Sequence, residues 1–154
     1  MFRNLLTAAA VLLFATSAGA VEKIEPDAKV AALVKQTLAA LQLPNDAARL
    51  KALLPLVHRS LKTADGGDLA RTVKDFSFKK ASRGAGNYLP EITEVHKGGV
   101  STVGFKETAQ RCRRDKYFVK PKDPDGKGFR PAPIHVCVPE DGSAPTILDF
   151  GSLN

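Results

Sequence analysis

The apolar residues of the chain follow two different periods. Val30, Leu33, Val34, Leu38 and Leu41 recur on one face of a 3.6-residue period and predict an amphipathic helix. Glu25-Pro26-Asp27 supplies its acidic, proline-led start and Pro44 its stop. Leu50, Leu53, Leu54, Val57 and Leu61 repeat the pattern after Asn45 and Asp46, both good helix caps. Pro55 falls inside this run, removes a backbone donor, and is expected to kink or split the helix. A third helix is expected from Asp68, with Leu69, Val73 and Phe76 on one face and Arg71, Lys74, Lys79 and Lys80 toward solvent. Beyond Leu89-Pro90 the texture changes. Residues 92–96, 100–108, 110–119, 132–138 and 146–150 are rich in β-branched and aromatic side chains, with period-2 stretches. Gly98-Gly99, Asp123-Pro124-Asp125-Gly126 and Glu140-Asp141-Gly142 separate them. Helices first and strands afterwards predict an α+β fold, with N-terminal helices packed on one face of a curved antiparallel sheet formed by the C-terminal half.

The first twenty residues stand apart from this pattern. A short start with one basic residue, Arg3, precedes the apolar run from Leu5 to Ala15, and Ala18-Gly19-Ala20 has the small residues of a cleavage site. We read residues 1–20 as a signal peptide and 21–154 as a single domain. The apolar run is too short for a comfortable bilayer span of roughly 20 residues. The expected address is therefore exported, periplasmic or secreted, with no transmembrane anchor after cleavage.

Export changes the reading of the two cysteines, Cys112 and Cys137. In an oxidising compartment an even pair reads as a disulfide, and the chain has no CxxC or HxxxH spacing for a metal site. If the two were directly opposed in a hairpin, paired positions would sum to 249 and the centre would fall between Pro124 and Asp125. Pro followed by Asp and Gly is a strong turn signal, with a bulge at Gly126 able to move the register by one residue. Ile134, Val136 and Val138 should then face the helices, and His135 and Cys137 the other side.

Charge is concentrated in the same region. The chain carries 23 Lys and Arg against 16 Asp and Glu. Residues 70–130 alone hold 15 against 7. Arg111, Arg113, Arg114, Lys116 and Lys120 form the candidate ligand-binding set, for an anionic polymer or an acidic partner protein. A basic edge that deters sheet-to-sheet pairing is the plainer account of the same residues. Few aromatic side chains are available for stacking, which argues against specific nucleic-acid binding.

Motifs for catalysis are incomplete. Ser77-Phe78-Lys79-Lys80 has the S-x-x-K spacing without its companion motifs. Gly99 to Lys106 misses a phosphate-binding loop because Phe105 occupies the Lys position. Asp123-x-Asp125-Gly126 lacks the later ligands of a calcium loop. His58 and Asp149 remain as pocket candidates for acid/base chemistry, and no cofactor or metal is implied.

The stretches 27–61, 68–81 and 92–150 together resemble the cone-shaped nuclear-transport-factor-2-like (SnoaL-like) superfamily, with a cystatin-like sheet as the competing architecture. The resemblance implies a pocket between the helices and the concave sheet face, and it transfers no catalytic residue. The functional expectation is a non-enzymatic binding or interaction module with a basic surface, working alone or as a homodimer through the sheet. The alternative is a small cofactor-free isomerase or hydrolase with a site between helices and sheet.

Overall fold

A computed structural model describes residues 20–123 and 129–153. The leader up to Gly19 and the expected turn at Pro124-Asp125 lie outside the described residues. Helices α1 (Ala28–Leu41) and α2 (Asp46–Leu53) come first, then a 3-10 turn (Arg59–Leu61), a π-helical turn (Val73–Phe78) and α3 (Lys79–Gly84). Five strands follow, β1 (Tyr88–His96), β2 (Val100–Val103), β3 (Gln110–Pro121), β4 (Ala132–Pro139) and β5 (Thr146–Asp149). They form one open antiparallel sheet in the order β1-β3-β4-β5, with β2 also paired to β3. This is the expected α+β arrangement. No described helix is long and apolar enough to cross a membrane.

The local signals act where the sequence puts them. The Asp27 carboxylate accepts the amides of Lys29 and Val30 and caps α1. Asn45 accepts from the Ala48 amide and caps α2. Helix α2 ends before Pro55; residues 54–56 form a turn, closed by the Leu56 amide on Leu53 O, and Val57 follows before the 3-10 turn. Val57 makes a parallel bridge with Ile147. The His58 amide donates to Ile147 O at 2.8 Å, and the Ile147 amide to Leu56 O at 2.9 Å. The proline break therefore frees a segment that covers the open edge of β5, where unpaired backbone groups would otherwise face solvent. At the opposite edge the Ile24 amide bonds Val95 O and the Lys97 amide bonds Glu22 O, covering part of β1.

The third helical region departs from expectation. Asp68 accepts from the Leu69 amide and from Lys74, but Leu69 still bridges to Lys62, and the helix starts beyond it. The turn from Val73 to Phe78 is π-helical. A π turn holds more residues than an α turn and rotates the faces that follow. Phe78, five residues after Val73, is buried, while Phe76 stands 74% exposed. The period-3.6 assignment of Phe76 to the core is thus corrected to Phe78.

One continuous core lies between helices and sheet. Val30, Val34, Leu38 and Leu41 of α1 bury against the same cluster as Tyr117 and Val119 of β3 and Ile134 and Val136 of β4. Phe150 and Leu153 close it from the C-terminal segment. The Tyr117 hydroxyl accepts the Asp27 amide at 3.2 Å, which ties the start of α1 to the middle of the sheet. A smaller cluster of Cys112, Cys137 and Leu148, with Val103 beside it, occupies the opposite face.

The disulfide Cys112–Cys137 is present, with Cα atoms 5.4 Å apart. Its register differs from direct opposition. Cys112 pairs with Pro139, and Cys137 with Arg114, so paired positions sum to 251. The bridge therefore spans a diagonal of the β3–β4 pair. The right-handed twist between neighbouring strands brings one diagonal closer than the other, which lets sulfurs offset by two residues meet. A shift of two leaves every side chain on its expected face, because the strand period is two. Ile134, Val136 and Val138 do face the helices, and Cys137 faces away.

The bridge closes a loop with a sequence separation of 25 residues. Loop-closure entropy then contributes about 3 to 3.5 kcal/mol to stability. Replacing both cysteines by alanine should lower the unfolding free energy by roughly that amount, measured by urea denaturation of the oxidised parent beside the variant.

Candidate functional site

Alternation along β3 divides the expected basic cluster between two faces. Odd-numbered positions share the helix-facing side with Tyr117 and Val119, and even-numbered positions share the disulfide side with Cys112. Arg111 and Arg113 therefore project to one side, and Arg114, Lys116 and Lys120 to the other. The five residues do not form one patch.

Most of them are already paired. Arg111 Nε donates to Glu140 Oε2 at 2.5 Å, where β3 and β4 end together. Lys120 Nζ lies 2.8 Å from Glu91 Oε2. Arg113 grips Asp115 through Nε and Nη2 at 2.8–3.0 Å. Asp115 is fully buried and also accepts the Gly98 amide at 3.1 Å. The hydrogen bonds to Asp115 raise the Arg113 pKa further, against the opposing effect of burial.

Gly98 explains why an acid sits among four bases. Strands β1 and β2 run in line along the same side of β3. Their registers, His96↔Lys116 and Val100↔Arg113, show one extra residue between them. Gly98-Gly99 is therefore a bulge rather than the strand separator expected from composition. A Cβ on Gly98 would stand 1.7 Å from Arg114 O. The bulge presents its Gly98 amide to the inner face, where Asp115 accepts it and Arg113 neutralises the carboxylate.

Arg114 and Lys116 are left on the outer face. Among the described residues neither makes an ion pair. They line a cleft of about 420 Å³ with Gly98, Gly99, Ser101 and His135. His135 is the direct cross-strand partner of Lys116, and Asp149 of His135. Burial lowers the His135 pKa from its ordinary 6.5; Asp149 raises it in part, and Lys116 and Arg114 lower it again. The Ser101 hydroxyl in the same cleft is buried without a hydrogen-bond partner.

The two pocket candidates are held apart. His58 lines a larger cleft of about 810 Å³, formed by residues 55–62 on one side and the ends of β3, β4 and β5 on the other. The ring is 2% exposed. Its Nδ1 accepts the Ser60 amide at 3.1 Å and lies 2.8 Å from Ser60 Oγ, so His58 caps the 3-10 turn. The ring also hydrogen-bonds the Gln110 side chain. Burial lowers the His58 pKa, the Gln110 bond raises it, and nearby Lys62 lowers it again. Asp149 lines a different cleft with Phe76 and Ser77, and its Oδ1 accepts the Gly151 amide at 2.9 Å.

Some of this was open to sequence reasoning and was missed. Arg111, Arg113, Arg114 and Lys116 alternate in a strand, so period two alone assigns them to opposite faces. Asp115, the single acid within that run, shares its parity with Tyr117 and Val119, which marks it for the buried side. Thr146 and Gln110 carried no signal, because only the meeting of three strand ends brings them to His58. Among the described residues, no group of three or more His, Cys, Asp or Glu side chains is placed to hold a metal ion.

In comparisons with family models, curated proteins and solved structures, no match to this chain was found. The functional reading rests on the geometry alone.

Proposed function

We propose that the protein is a non-catalytic exported binding module whose outer sheet face takes an anionic polymer or an acidic partner. The observation that carries this reading is the pair Arg114 and Lys116, side by side on one face, without carboxylate partners among the described residues, in a cleft with His135. Unpaired neighbouring cations repel one another, and an arriving polyanion relieves that repulsion and releases its own counterions. The engagement of His58 by Ser60 and Gln110 supports binding over acid/base catalysis, since the ring is committed to capping and packing. The disulfide is consistent with an exported chain. Kinship with the cone-shaped nuclear-transport-factor-2-like architecture, and pairing of two copies through the sheet, stay part of this proposal.

Titration of labelled poly-L-glutamate by fluorescence anisotropy tests the reading. With two or three cationic contacts, affinity should fall roughly 10- to 40-fold between 50 and 200 mM salt. Binding of a polyanion that keeps its charge at mildly acidic pH, such as polyphosphate, should also strengthen as pH falls below the lowered His135 pKa. His135 has a lowered pKa and is neutral at pH 7; below that lowered pKa it adds a positive charge beside Lys116. Affinity unaffected by salt, or absent at low salt, would overturn the reading.

A further inference from the structure

The cleft beside His58 is independent of the outer face; Arg111 and Glu140 line it paired with each other, and its remaining charges are sorted. Arg59 and Lys62 stand on the wall made by residues 55–62. Glu107 and Asp141 stand on the wall made by the connections that flank β3 and β5, and Pro55, Val57, Ala109 and Ala144 give the space between them an apolar lining. Neither Lys62 nor Glu107 makes an ion pair among the described residues, although Lys62 is partly buried beside Arg59. The guanidinium of Arg59 is held by the carbonyls of Thr63 and Ala64, which fixes its position beside the exposed Asp65 carboxylate. Thr146 lines the same cleft, and its hydroxyl is buried with no hydrogen-bond partner among the described residues. Buried polar atoms are nearly always satisfied, so this one marks a place for a ligand group.

We propose that this cleft binds a short peptide or similar small zwitterion, with its carboxylate toward Lys62 and Arg59, its ammonium toward Glu107 and Asp141, and an amide on the Thr146 hydroxyl. The volume is in the range of small-molecule sites and leaves room for a few residues. Opposite charges on opposite walls select a ligand that carries both at a fixed separation, and they disfavour one that carries a single sign. The apolar lining suits small aliphatic side chains.

Isothermal titration with trialanine, N-acetyl-trialanine and trialanine amide tests the assignment. Trialanine should bind saturably, and each blocked derivative should bind at least about tenfold more weakly, a difference of about 1.4 kcal/mol. Lys62→Gln should abolish the preference for the free carboxylate while keeping that for the free ammonium. Glu107→Gln should do the reverse. Both positions are at the cleft surface, so the variants should fold, which circular dichroism checks. Arg114→Gln/Lys116→Gln should bind trialanine like the parent, separating this site from the polyanion face. No saturable binding up to about 10 mM, a Kd range where only contacts of under about 3 kcal/mol remain, would overturn the proposal. So would unchanged preferences in both variants.

Discussion

Gly98→Ala should strongly destabilise the protein. The added carbon would stand 1.7 Å from the Arg114 carbonyl oxygen, and backbone cannot rotate out of the way as a flexible side chain would. Relief requires β1 to lift from β3 at the bulge, which loses the Gly98 amide bond to Asp115 and the Arg114 amide bond to Gly99 O. We expect a loss of at least about 3 kcal/mol, the scale of severe overpacking combined with broken hydrogen bonds. For a domain of this size that is a fall in Tm of about 10 °C or more. Gly99→Ala and Gly86→Ala are the controls, because a Cβ at either meets nothing within 4 Å. Both should melt within a few degrees of the parent by circular dichroism. A parent-like Gly98→Ala would mean that the bulge is not held as described.

Asp115→Ala should come close to it in effect. The carboxylate is fully buried and is the acceptor for both the Arg113 guanidinium and the Gly98 amide. Removing one partner of a buried pair strands the other and costs about 3 to 5 kcal/mol. Arg113 keeps some access to solvent, with its side chain 34% exposed, so the lower part of that range is expected. The double variant Arg113→Met/Asp115→Leu replaces the pair by apolar groups of similar volume and should recover part of the loss. Urea denaturation of the single and double variants measures both. Equal destabilisation by the two would place the importance of Asp115 in the Gly98 bond alone.

The burial of Asp115 follows from strand parity, whereas its Gly98 partner does not. Helix caps, the proline break and the faces of β4 were legible, because each is set by neighbours within a few positions. Asp27, Asn45, Pro55 and the alternation Ile134-Val136-Val138 all act locally. The disulfide partners were legible from the expected compartment and the count. The register was not, since twist lets a diagonal pair of cysteines bridge as well as an opposed one. Phe76 falls on the core face by a period of 3.6, which the π turn does not follow. The bulge at Gly98-Gly99 looks like a loop in composition, and only pairing with β3 reveals two strands in line.

The candidate site divides in the same way. Arg114 and Lys116 belonged to a basic run visible in the sequence, yet the ion pairs that remove Arg111, Arg113 and Lys120 from it depend on distant carboxylates. Glu140 and Glu91 each lie 29 residues from the cation they neutralise. The cleft at His58 is assembled from three separate stretches of chain, so its charge pattern has no linear trace.

The most direct measurement compares two double variants of equal charge change in the poly-L-glutamate titration. Arg114→Gln/Lys116→Gln removes the unpaired cations, and Arg111→Gln/Lys120→Gln removes paired ones. The first should weaken binding at least about tenfold and reduce the slope of log affinity against log salt by about 2. The second should stay within about threefold of the parent, because its cations are already neutralised by their partners. Equal losses in the two variants, or a larger loss in the second, would contradict the assignment of the outer sheet face.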